Sequence, residues 1–320
     1  MRLNLKKDFL LVTTMLVAVG CSDSMTEECD SEQRIPIVFG TQVATRAVVE
    51  NNKEGMDNFT LWGWVRESDG PKLFFDAVPV TPSGNYGEKR FWAVGRPYGF
   101  YAVHPEKMKE NNIATEVSCN DKGELRVTGF DSSEMGKGAV DLMTAAKTDV
   151  VYEGGGMMAP VLLAFKHELA QVKFTVCTGE KQAEVSDIRL LGEMCIRDRL
   201  WTPEESTWQN RINCTEEGTP FVRSESVRIE AGSSVTVLDS VLLLPQPVTE
   251  HVAVTFKYAY AGKPLSEAKE AMVYLDVAQT TEWIKSSTYH YKITLPAGDA
   301  DITVKVSVGD WDSRDISADW

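Results

Sequence analysis

The sequence predicts an all-β protein made of two β-sandwich domains in tandem. Apolar and polar residues alternate with a period of two over many short segments, which is the pattern of strands that bury one face. Gly and Pro residues separate these segments, as expected for the turns of β-sandwiches. The chain has 320 residues, and at roughly 150 residues per domain this length suggests two domains.

The predicted strands cover most of the chain after residue 34. Strong alternation marks Val172–Val176, Val252–Tyr260, Tyr289–Leu295 and Ile302–Val308. Further strand candidates are Ile35–Phe39, Phe59–Val65, Lys72–Phe75, Gly99–Val103, Glu124–Thr128, Val161–Phe165, Ser186–Leu190, Ser226–Ile229, Ser234–Leu238, Val241–Leu244 and Ala271–Asp276. A weak helical pattern covers Ser133–Ala146. The run Gly154–Gly156 is the predicted boundary because consecutive glycines weaken regular structure, which predicts domains over 47–157 and 158–320.

The N-terminus has the pattern of an export signal. Arg2, Lys6 and Lys7 precede an apolar run from Phe9 to Val19. This run is far shorter than the ~20 residues that span a bilayer as a helix. We therefore predict that residues 1–20 are a signal peptide and that the protein is exported.

The end of this signal resembles a bacterial lipobox. The match is Ala18-Val19-Gly20-Cys21, with Ala18 in place of the usual Leu, and it implies that Cys21 carries acyl chains such as palmitate. Each buried CH₂ contributes ~0.8 kcal/mol, so these chains would hold the protein on the lipid of the cell outer membrane. The acidic residues of 22–33 are typical of a flexible tether, and they resemble a signal that routes lipoproteins to the cell surface. The alternative is an ordinary secretory signal with a cysteine near its cleavage site.

The charge of the chain excludes the usual nucleic-acid binders. There are 33 Lys+Arg against 47 Asp+Glu, a formal net charge of -14. Binding to phosphates needs a basic stripe, and the sequence contains no such run.

The cysteines do not indicate a disulfide framework. Besides Cys21 there are five, at irregular spacing and without a C-x-x-C pair. The segment Glu193–Arg199 is similar to a peptide translated from a sequencing-library adaptor. We hypothesise that this heptad is not native, so Cys195 supports no inference, and resequencing the locus would test this.

A search for catalytic motifs yields no enzyme signature. The chain lacks G-x-S-x-G, P-loop, EF-hand and H-E-x-x-H patterns, and we expect no catalytic residue, metal or cofactor. Its four histidines and the acids Asp141, Asp149, Asp187 and Asp239 are scattered along the chain. Trp62, Trp64 and Trp92 could stack on a sugar, but their positions in or next to strands favour the core.

Several segments, taken in chain order, resemble one protein family. They are Ile37–Phe39, Ala44–Ala47, Phe59–Trp64, Tyr98–Pro105, Asp141–Met143, Leu163–Phe174, Leu244–Gln246, Tyr289–Leu295 and a last strand ending near Trp311. The most specific is Phe165–Phe174. With the lipoprotein signal, they resemble the fimbrillin-like proteins, subunits of the protease-assembled (type V) pili of Gram-negative anaerobes. The resemblance implies two transthyretin-like (Ig-like, Greek-key) β-sandwich domains.

The resemblance also implies a maturation step. Family members are cut by an Arg-specific protease on the C-terminal side of an arginine after the first strand. Arg46 matches that position, so Ala47 would be the new N-terminus. Cleavage would release residues 21–46, the lipidated tether and first strand, as a propeptide. The open groove left behind would carry unpaired backbone groups, which a strand from another pilus subunit can fill.

The donor of that strand is predicted at the C-terminus. The predicted donor residues are Ile302, Val304, Val306, Val308, Trp311, Ile316 and Trp320. In the alternative, Ile302–Val308 pairs within its own domain and the donor is Asp310–Trp320. Either arrangement is a head-to-tail contact that does not close, so it makes a filament.

These patterns lead to one functional expectation and two alternatives. We expect a structural subunit of cell-surface fimbriae that serves adhesion. The first alternative is an uncut anchor subunit, or a tip subunit, of the same pilus, in which case Arg46 is an ordinary loop residue. The second alternative is a monomeric surface lipoprotein that binds glycans through its Trp residues.

Overall fold

The structure is a computed structural model that describes residues 34–44, 49–50, 56–132, 139–192, 196–201, 206–212, 221–276, 280–297 and 300–311. Within these ranges the regular secondary structure consists of β-strands, apart from one 3₁₀ turn at Leu265–Glu267. The described residues from Ile35 onward belong to one compact unit. The predicted all-β class is confirmed.

The described part of the chain contains 22 strands. They are β1 Phe39–Ala44, β2 Val49–Glu50, β3 Phe59–Glu67, β4 Gly70–Val80, β5 Pro97–His104, β6 Glu116–Cys119, β7 Leu125–Asp131, β8 Met143–Val151, β9 Val161–His167, β10 Ala170–Cys177, β11 Ala183–Leu191, β12 Ile196–Trp201, β13 Ser206–Ile212, β14 Val222–Arg223, β15 Val227–Ile229, β16 Ser234–Leu243, β17 Gln246–Pro247, β18 Ala253–Tyr260, β19 Lys269–Tyr274, β20 Glu282–Trp283, β21 Ser287–Thr294 and β22 Thr303–Asp310.

The N-terminal half forms a seven-stranded sheet in the order β2-β1-β9-β8-β5-β3-β4. Its neighbours are antiparallel except for β1 and β9, which run parallel. Alternate residues of these strands point to one shared core, which includes Phe59, Phe75, Phe100 and Phe165. The rings of Phe59 and Phe165 lie 5.0 Å apart, so strands at distant positions in the sheet order close around the same interior.

The C-terminal half encloses a second core between two sheets. One sheet has the order β16-β10-β21-β22, and the other has the order β14-β11-β18-β19 with β15 also paired to β11. Phe174 and Tyr291 from the first sheet share this core with Phe256 and Val254 from the second. The alternation along each strand therefore places one face inside and the other face outside, as the period of two predicts.

A third cluster joins the two halves. It combines Trp62 and Trp64 of β3, Val127 of β7, and Leu169 and Leu244 from the segments next to β10 and β16. The small sheet β13-β12-β7-β6 contributes its strand β7 to this cluster. The segment Ile196–Arg199, part of the heptad with the adaptor-like sequence, lies in β12 and pairs with β7 and β13.

The bounds of some elements differ from the prediction. The predicted helix at Ser133–Ala146 is wrong in its described part, because β8 begins at Met143 and residues 139–142 are not helical. Met143 and Ala145 face the N-terminal core, so the segment follows the period of two there. The predicted strands Ser234–Leu238 and Val241–Leu244 are largely one strand, β16.

The predicted domain boundary at 157/158 stays a prediction, and the pairing of β9 bears on it. Strand β9 follows that boundary in the chain but pairs with β1 and β8 of the N-terminal sheet. If the two halves are domains, these hydrogen bonds put their junction after β9, near Glu168. No helix among the described residues is long and apolar enough to cross a membrane.

Candidate functional site

Strand β1 and the residues before it fill the N-terminal core. Ile35, Ile37 and Phe39 are buried, with exposed fractions of 8%, 1% and 2%, while Val38 between them is 43% exposed. This alternation is the extended-chain period of two. The predicted strand covered Ile35–Phe39, but β1 begins only at Phe39. The residues before it hydrogen-bond to a loop and not to a strand.

Phe39 is the centre of an aromatic cluster. Its ring centroid lies 5.2 Å from that of Phe100 and 5.6 Å from those of Phe75 and Tyr86, with edge-to-face geometry in each case. Such pairs contribute roughly 0.5–1.5 kcal/mol each beyond the burial of their area. Phe39 is therefore the residue of β1 with the most extensive core contacts.

The backbone of β1 completes the pairing of β9. Residues Phe39–Val43 pair in parallel with Val161–Phe165, and the Val161 amide donates to the Val38 carbonyl at 2.7 Å. On its other side, β9 pairs with β8 only through Lys166 and His167. Removal of β1 would therefore leave most of the backbone of β9 without a neighbouring strand.

A loop covers the opposite edge of residues 35–41, and we call residues 81–92 the strap. The Ile37 amide donates to the Arg90 carbonyl at 2.8 Å, and the Trp92 amide donates to the Ile35 carbonyl at 3.0 Å. The Tyr86 hydroxyl donates to the Ile37 carbonyl at 2.8 Å. These bonds hold the segment before β1 on the side where the sheet has no strand.

The strap approaches β1 very closely at Gly84. A Cβ on Gly84 would lie 2.1 Å from the carbonyl oxygen of Phe39, and the φ of Gly84 is +83°. Next to it, the Thr41 hydroxyl donates to the Pro82 carbonyl at 2.7 Å. The strap was not predicted from the sequence. The turn residues Pro82, Gly84 and Gly87 mark a loop, but no local pattern names the strand that this loop contacts.

Gln42 is buried in β1 with an unsatisfied polar group. Its side chain is 4% exposed, and its Nε2 has no hydrogen-bond partner among the described residues. A buried polar group without a partner costs about 1–3 kcal/mol. The segment thus combines strong apolar anchors with one unfavourable polar contact.

The predicted processing site lies directly after β1 in the chain. Strand β1 ends at Ala44 and pairs with β2, which begins at Val49. Arg46 and Ala47 belong to the connection between β1 and β2 and lie outside the described residues. The predicted lipidation residue Cys21 also lies outside the described residues. A cut in this connection would leave β1 attached to the rest of the chain by non-covalent contacts alone.

The predicted donor segment is divided between β22 and the residues after it. Strand β22 pairs antiparallel with β21 along its whole length. Ile302, Val304 and Val306 are partly buried against the C-terminal core, and Val308 is 52% exposed. β22 is the last strand of its sheet in the described part of the chain.

Trp311 ends the described chain in a polar junction. Its ring stacks on His167 with centroids 4.4 Å apart and an interplanar angle of 13°. His167 Nδ1 lies 2.7 Å from Asp141 Oδ2, and Lys285 Nζ lies 3.1 Å from the fully buried Glu168. The remaining predicted donor residues, Ile316 and Trp320, lie outside the described residues.

The fold brings two of the scattered histidines together. His104 Nδ1 donates to the Asp141 carbonyl at 3.1 Å, beside the His167–Asp141 pair. Burial lowers the pKa of His104 below its usual value. His290 lies apart on β21, with Nε2 2.7 Å from the Thr175 hydroxyl, and its pKa is lowered mainly by burial. Within the described ranges, no group of three or more His, Cys, Asp or Glu residues could hold a metal ion.

The tryptophans considered for sugar stacking are core residues. Trp62, Trp64 and Trp92 are buried, and the Trp92 ring centroid lies 4.9 Å from that of Tyr98. A sugar could reach these indoles only if the core opened. The geometry therefore gives these three residues a packing role.

Comparison with known proteins identifies the family. The family model described as fimbrillin-like matches residues 45–311. A fimbrial protein from Bacteroides vulgatus superposes with a TM-score of 0.52 at 14% identity, covering 86% of this chain and 99% of that one. A candidate cell adhesion protein from Bacteroides uniformis gives a TM-score of 0.50 at 16% identity, covering 88% and 99%. No curated protein matches the sequence. Because the family model spans most of its length, the chain belongs to the fimbrillin-like family.

Proposed function

We propose that this protein is a structural subunit of cell-surface fimbriae that serves adhesion, assembled by exchange of β1 for a strand of another subunit. The observation that carries this proposal is the position of β1. It fills the N-terminal core between β9 and the strap, and the chain continues from it through Arg46. One cut there makes a core strand removable.

The proposed maturation has three steps. The chain is exported as a lipoprotein attached to outer-membrane lipid through acyl chains on Cys21. An Arg-specific protease then cuts between Arg46 and Ala47. Residues 21–46 leave with β1, and the lipid anchor leaves with them.

The groove left by β1 explains why a replacement strand would bind. Ile37 and Phe39 each bury an apolar side chain, worth about 1.5–3 kcal/mol per residue. Their departure would expose this apolar surface together with the free backbone groups of β9. Addition of a strand restores both kinds of contact, as in donor-strand complementation.

The pairing of β22 favours the shorter of the two predicted donors. Strand β22 pairs with β21 from Thr303 to Asp310, so its use as a donor would break this ladder. Most of Asp310–Trp320 follows β22 in the chain, so its use as a donor would leave the ladder paired up to Gly309. We propose this segment as the donor in a head-to-tail filament.

The test is proteolysis of the chain expressed from Ser22 onward. Treatment with an Arg-specific protease should give a new N-terminus at Ala47 and ladders that resist SDS. The variant Arg46→Gln should stay uncut at this position and monomeric. A wild-type chain that resists cleavage at Arg46 and remains monomeric would contradict the proposal and indicate an uncut anchor subunit or a separate lipoprotein.

A further inference from the structure

The C-terminal core is open along one side, between the edge strands β19 and β22 of its two sheets. We propose that this side binds an extended segment of a partner protein in which basic and apolar residues alternate. The segment adds a strand to the outer edge of β22. This inference goes beyond the strand exchange at β1 and does not depend on a cut at Arg46.

The opening is a groove of about 640 Å³ between β19 and the start of β22, and we call it the side groove. Its lining includes Tyr258 of β18, Val273 of β19 and Val304 of β22. Met272 and Tyr274 also line it and are 53% and 52% exposed. Apolar surface from both sheets therefore reaches solvent in the side groove.

Strand β22 leaves its side of the core incompletely covered. None of its residues is fully buried, although Val304 and Val306 pack against the C-terminal core. Their partners on β21, Ile293 and Tyr291, are both 0% exposed. The core is thus closed over β21 and not over β22, so a further strand beside β22 would remove apolar surface from water.

The backbone of β22 offers an edge for pairing. In the described part of the chain β22 pairs only with β21, so its other edge has no neighbouring strand there. The edge strand β4 of the N-terminal sheet contains Pro71 and Pro79, which have no amide hydrogen and hinder the addition of a strand. β22 contains no proline. It therefore lacks the protection against strand addition that β4 has.

The charges of the side groove favour a basic segment. Glu270, Asp276 and Asp301 line it and are exposed, and its lining among the described residues includes no Lys or Arg. Lys257 lies 3.9 Å from Glu270 but is closer to Asp187, at 2.9 Å. An alternating segment would place its apolar side chains in the groove and its basic side chains near these carboxylates.

The same charges disfavour an occupant from this chain itself. The formal net charge is -14, so two copies repel each other. Residues 312–320 contain three Asp and one Arg, which match an acidic lining less well than a basic segment does. A segment of a different protein is therefore the favoured occupant.

The first experiment measures binding of a defined probe. A fluorescent heptapeptide of alternating valine and lysine is titrated with the chain expressed from Ser22 onward and carrying Arg46→Gln, so that it stays uncut. We expect saturable binding that weakens as salt is added. The same peptide with N-methylated valines should bind at least about tenfold more weakly, because it lacks backbone donors for β22. Absence of binding, or equal binding of a peptide with glutamate in place of lysine, would overturn the inference.

The second experiment tests the acidic lining. Replacement of all three carboxylates, by Glu270→Gln, Asp276→Asn and Asp301→Asn together, should weaken binding of the basic peptide by about tenfold, as expected for three exposed ion pairs.

A matched control removes the same number of charges from exposed positions of the N-terminal half. This control combines Glu88→Gln, Asp69→Asn and Asp121→Asn, and it should bind the peptide nearly as well as the unmodified chain. An equal loss in both triple variants would show that binding follows the net charge and not the side groove.

The third experiment identifies the occupant directly. The photocrosslinker p-benzoylphenylalanine replaces the exposed Met272, and the uncut chain is irradiated with and without the basic peptide. We expect crosslinks to the peptide. Crosslinks to residues 312–320 of the same chain, or to a second copy, would show a different occupant and overturn the inference. Because the Arg46→Gln chain is never cut, none of these results bears on the proposed strand exchange.

Discussion

The segment that leads into β1 and strand β22 have similar sequence patterns and opposite environments. Apolar residues recur with a period of two at Ile35, Ile37 and Phe39, and again at Val304, Val306 and Val308. On β1 the apolar face is closed, with Phe39 2% exposed, whereas Val308 on β22 is 52% exposed although its partner Tyr289 on β21 is buried. An alternating pattern therefore predicts a strand, but it does not tell whether the strand completes a core or lies at its edge.

The comparison also separates the two ways in which a strand is held. β22 is held by one antiparallel ladder and by Val304 and Val306, which are only partly buried against the C-terminal core. β1 is held by a parallel ladder to β9, by the strap and by side-chain packing. Loss of β1 should therefore affect the whole N-terminal core, while changes on β22 should stay local.

The largest expected difference is between truncations on the two strands. In the uncut chain, Phe39→Ala should lower the free energy of unfolding by about 3–5 kcal/mol, because it opens a cavity among three rings. Val308→Ala should cost less than about 1 kcal/mol, because half of that side chain is already in water. Urea denaturation of both variants checks this. Equal losses would show that β1 is not the core strand described above.

The next effect tests the strap. Gly84→Ala should destabilise the uncut chain by about 2–3 kcal/mol, from a positive φ and from the contact of the new Cβ with the Phe39 carbonyl. Gly87→Ala is the matched control, because Gly87 has the same φ of +83° and no atom within 4 Å of the added Cβ. It should show only the cost of the backbone conformation. Thermal unfolding of both variants measures the difference, and its absence would argue against close contact of strap and strand.

We expect histidines of the two halves to contribute differently to the pH dependence of stability. Burial lowers the pKa of His104, so the unfolded chain takes up this proton at higher pH than the folded chain. This contribution to stability is complete above about pH 6.5, the ordinary His pKa, and decreases as the pH falls toward the lowered value. His104→Gln should therefore reduce the loss of stability between pH 7.5 and 5.

His290 provides the comparison on the side of β22. Its ring is only partly buried and its pKa is also lowered. His290→Gln should change the pH dependence in the same direction and by less. Urea midpoints of the two variants and wild type at several pH values test this order, and a larger effect at His290 would reverse it.

The smallest effect concerns Gln42. Gln42→Met should stabilise the uncut chain by about 0.5–1 kcal/mol, because it removes a buried amide nitrogen that has no partner among the described residues. Gln171→Met is the control, since the Gln171 side chain accepts a hydrogen bond from the Thr288 hydroxyl at 3.0 Å, and it should destabilise. Chemical denaturation of both variants measures the sign. A destabilising Gln42→Met would mean that this amide is satisfied.

Most of the strands could be predicted from local patterns, and the errors have specific causes. The helix predicted from the weak pattern at Ser133–Ala146 is wrong where β8 begins at Met143. Packing of Met143 and Ala145 in the N-terminal core favours the strand there. The start of β1 moved to Phe39 because Ile35 and Ile37 hydrogen-bond to the strap, and Pro36 has no amide hydrogen to donate.

The candidate site was predictable only in part. The family resemblance pointed to a first strand before Arg46 and to a C-terminal donor. The strap, the close approach at Gly84 and the ring pocket around Phe39 join residues that are far apart in the chain, such as Phe39 with Phe75, Gly84 and Phe100. No periodicity within a short window contains such contacts.

The sequence by itself determined the all-β class, the position of most strands and the family resemblance, because period-two alternation and turn residues act within a few neighbouring positions. Only the tertiary structure decided that β1 runs parallel to β9 inside the core, that β22 stays on β21, and that Trp62, Trp64 and Trp92 are buried. The physical reason is that strand order and burial depend on backbone pairing and apolar contacts between distant segments, which compete for the same core.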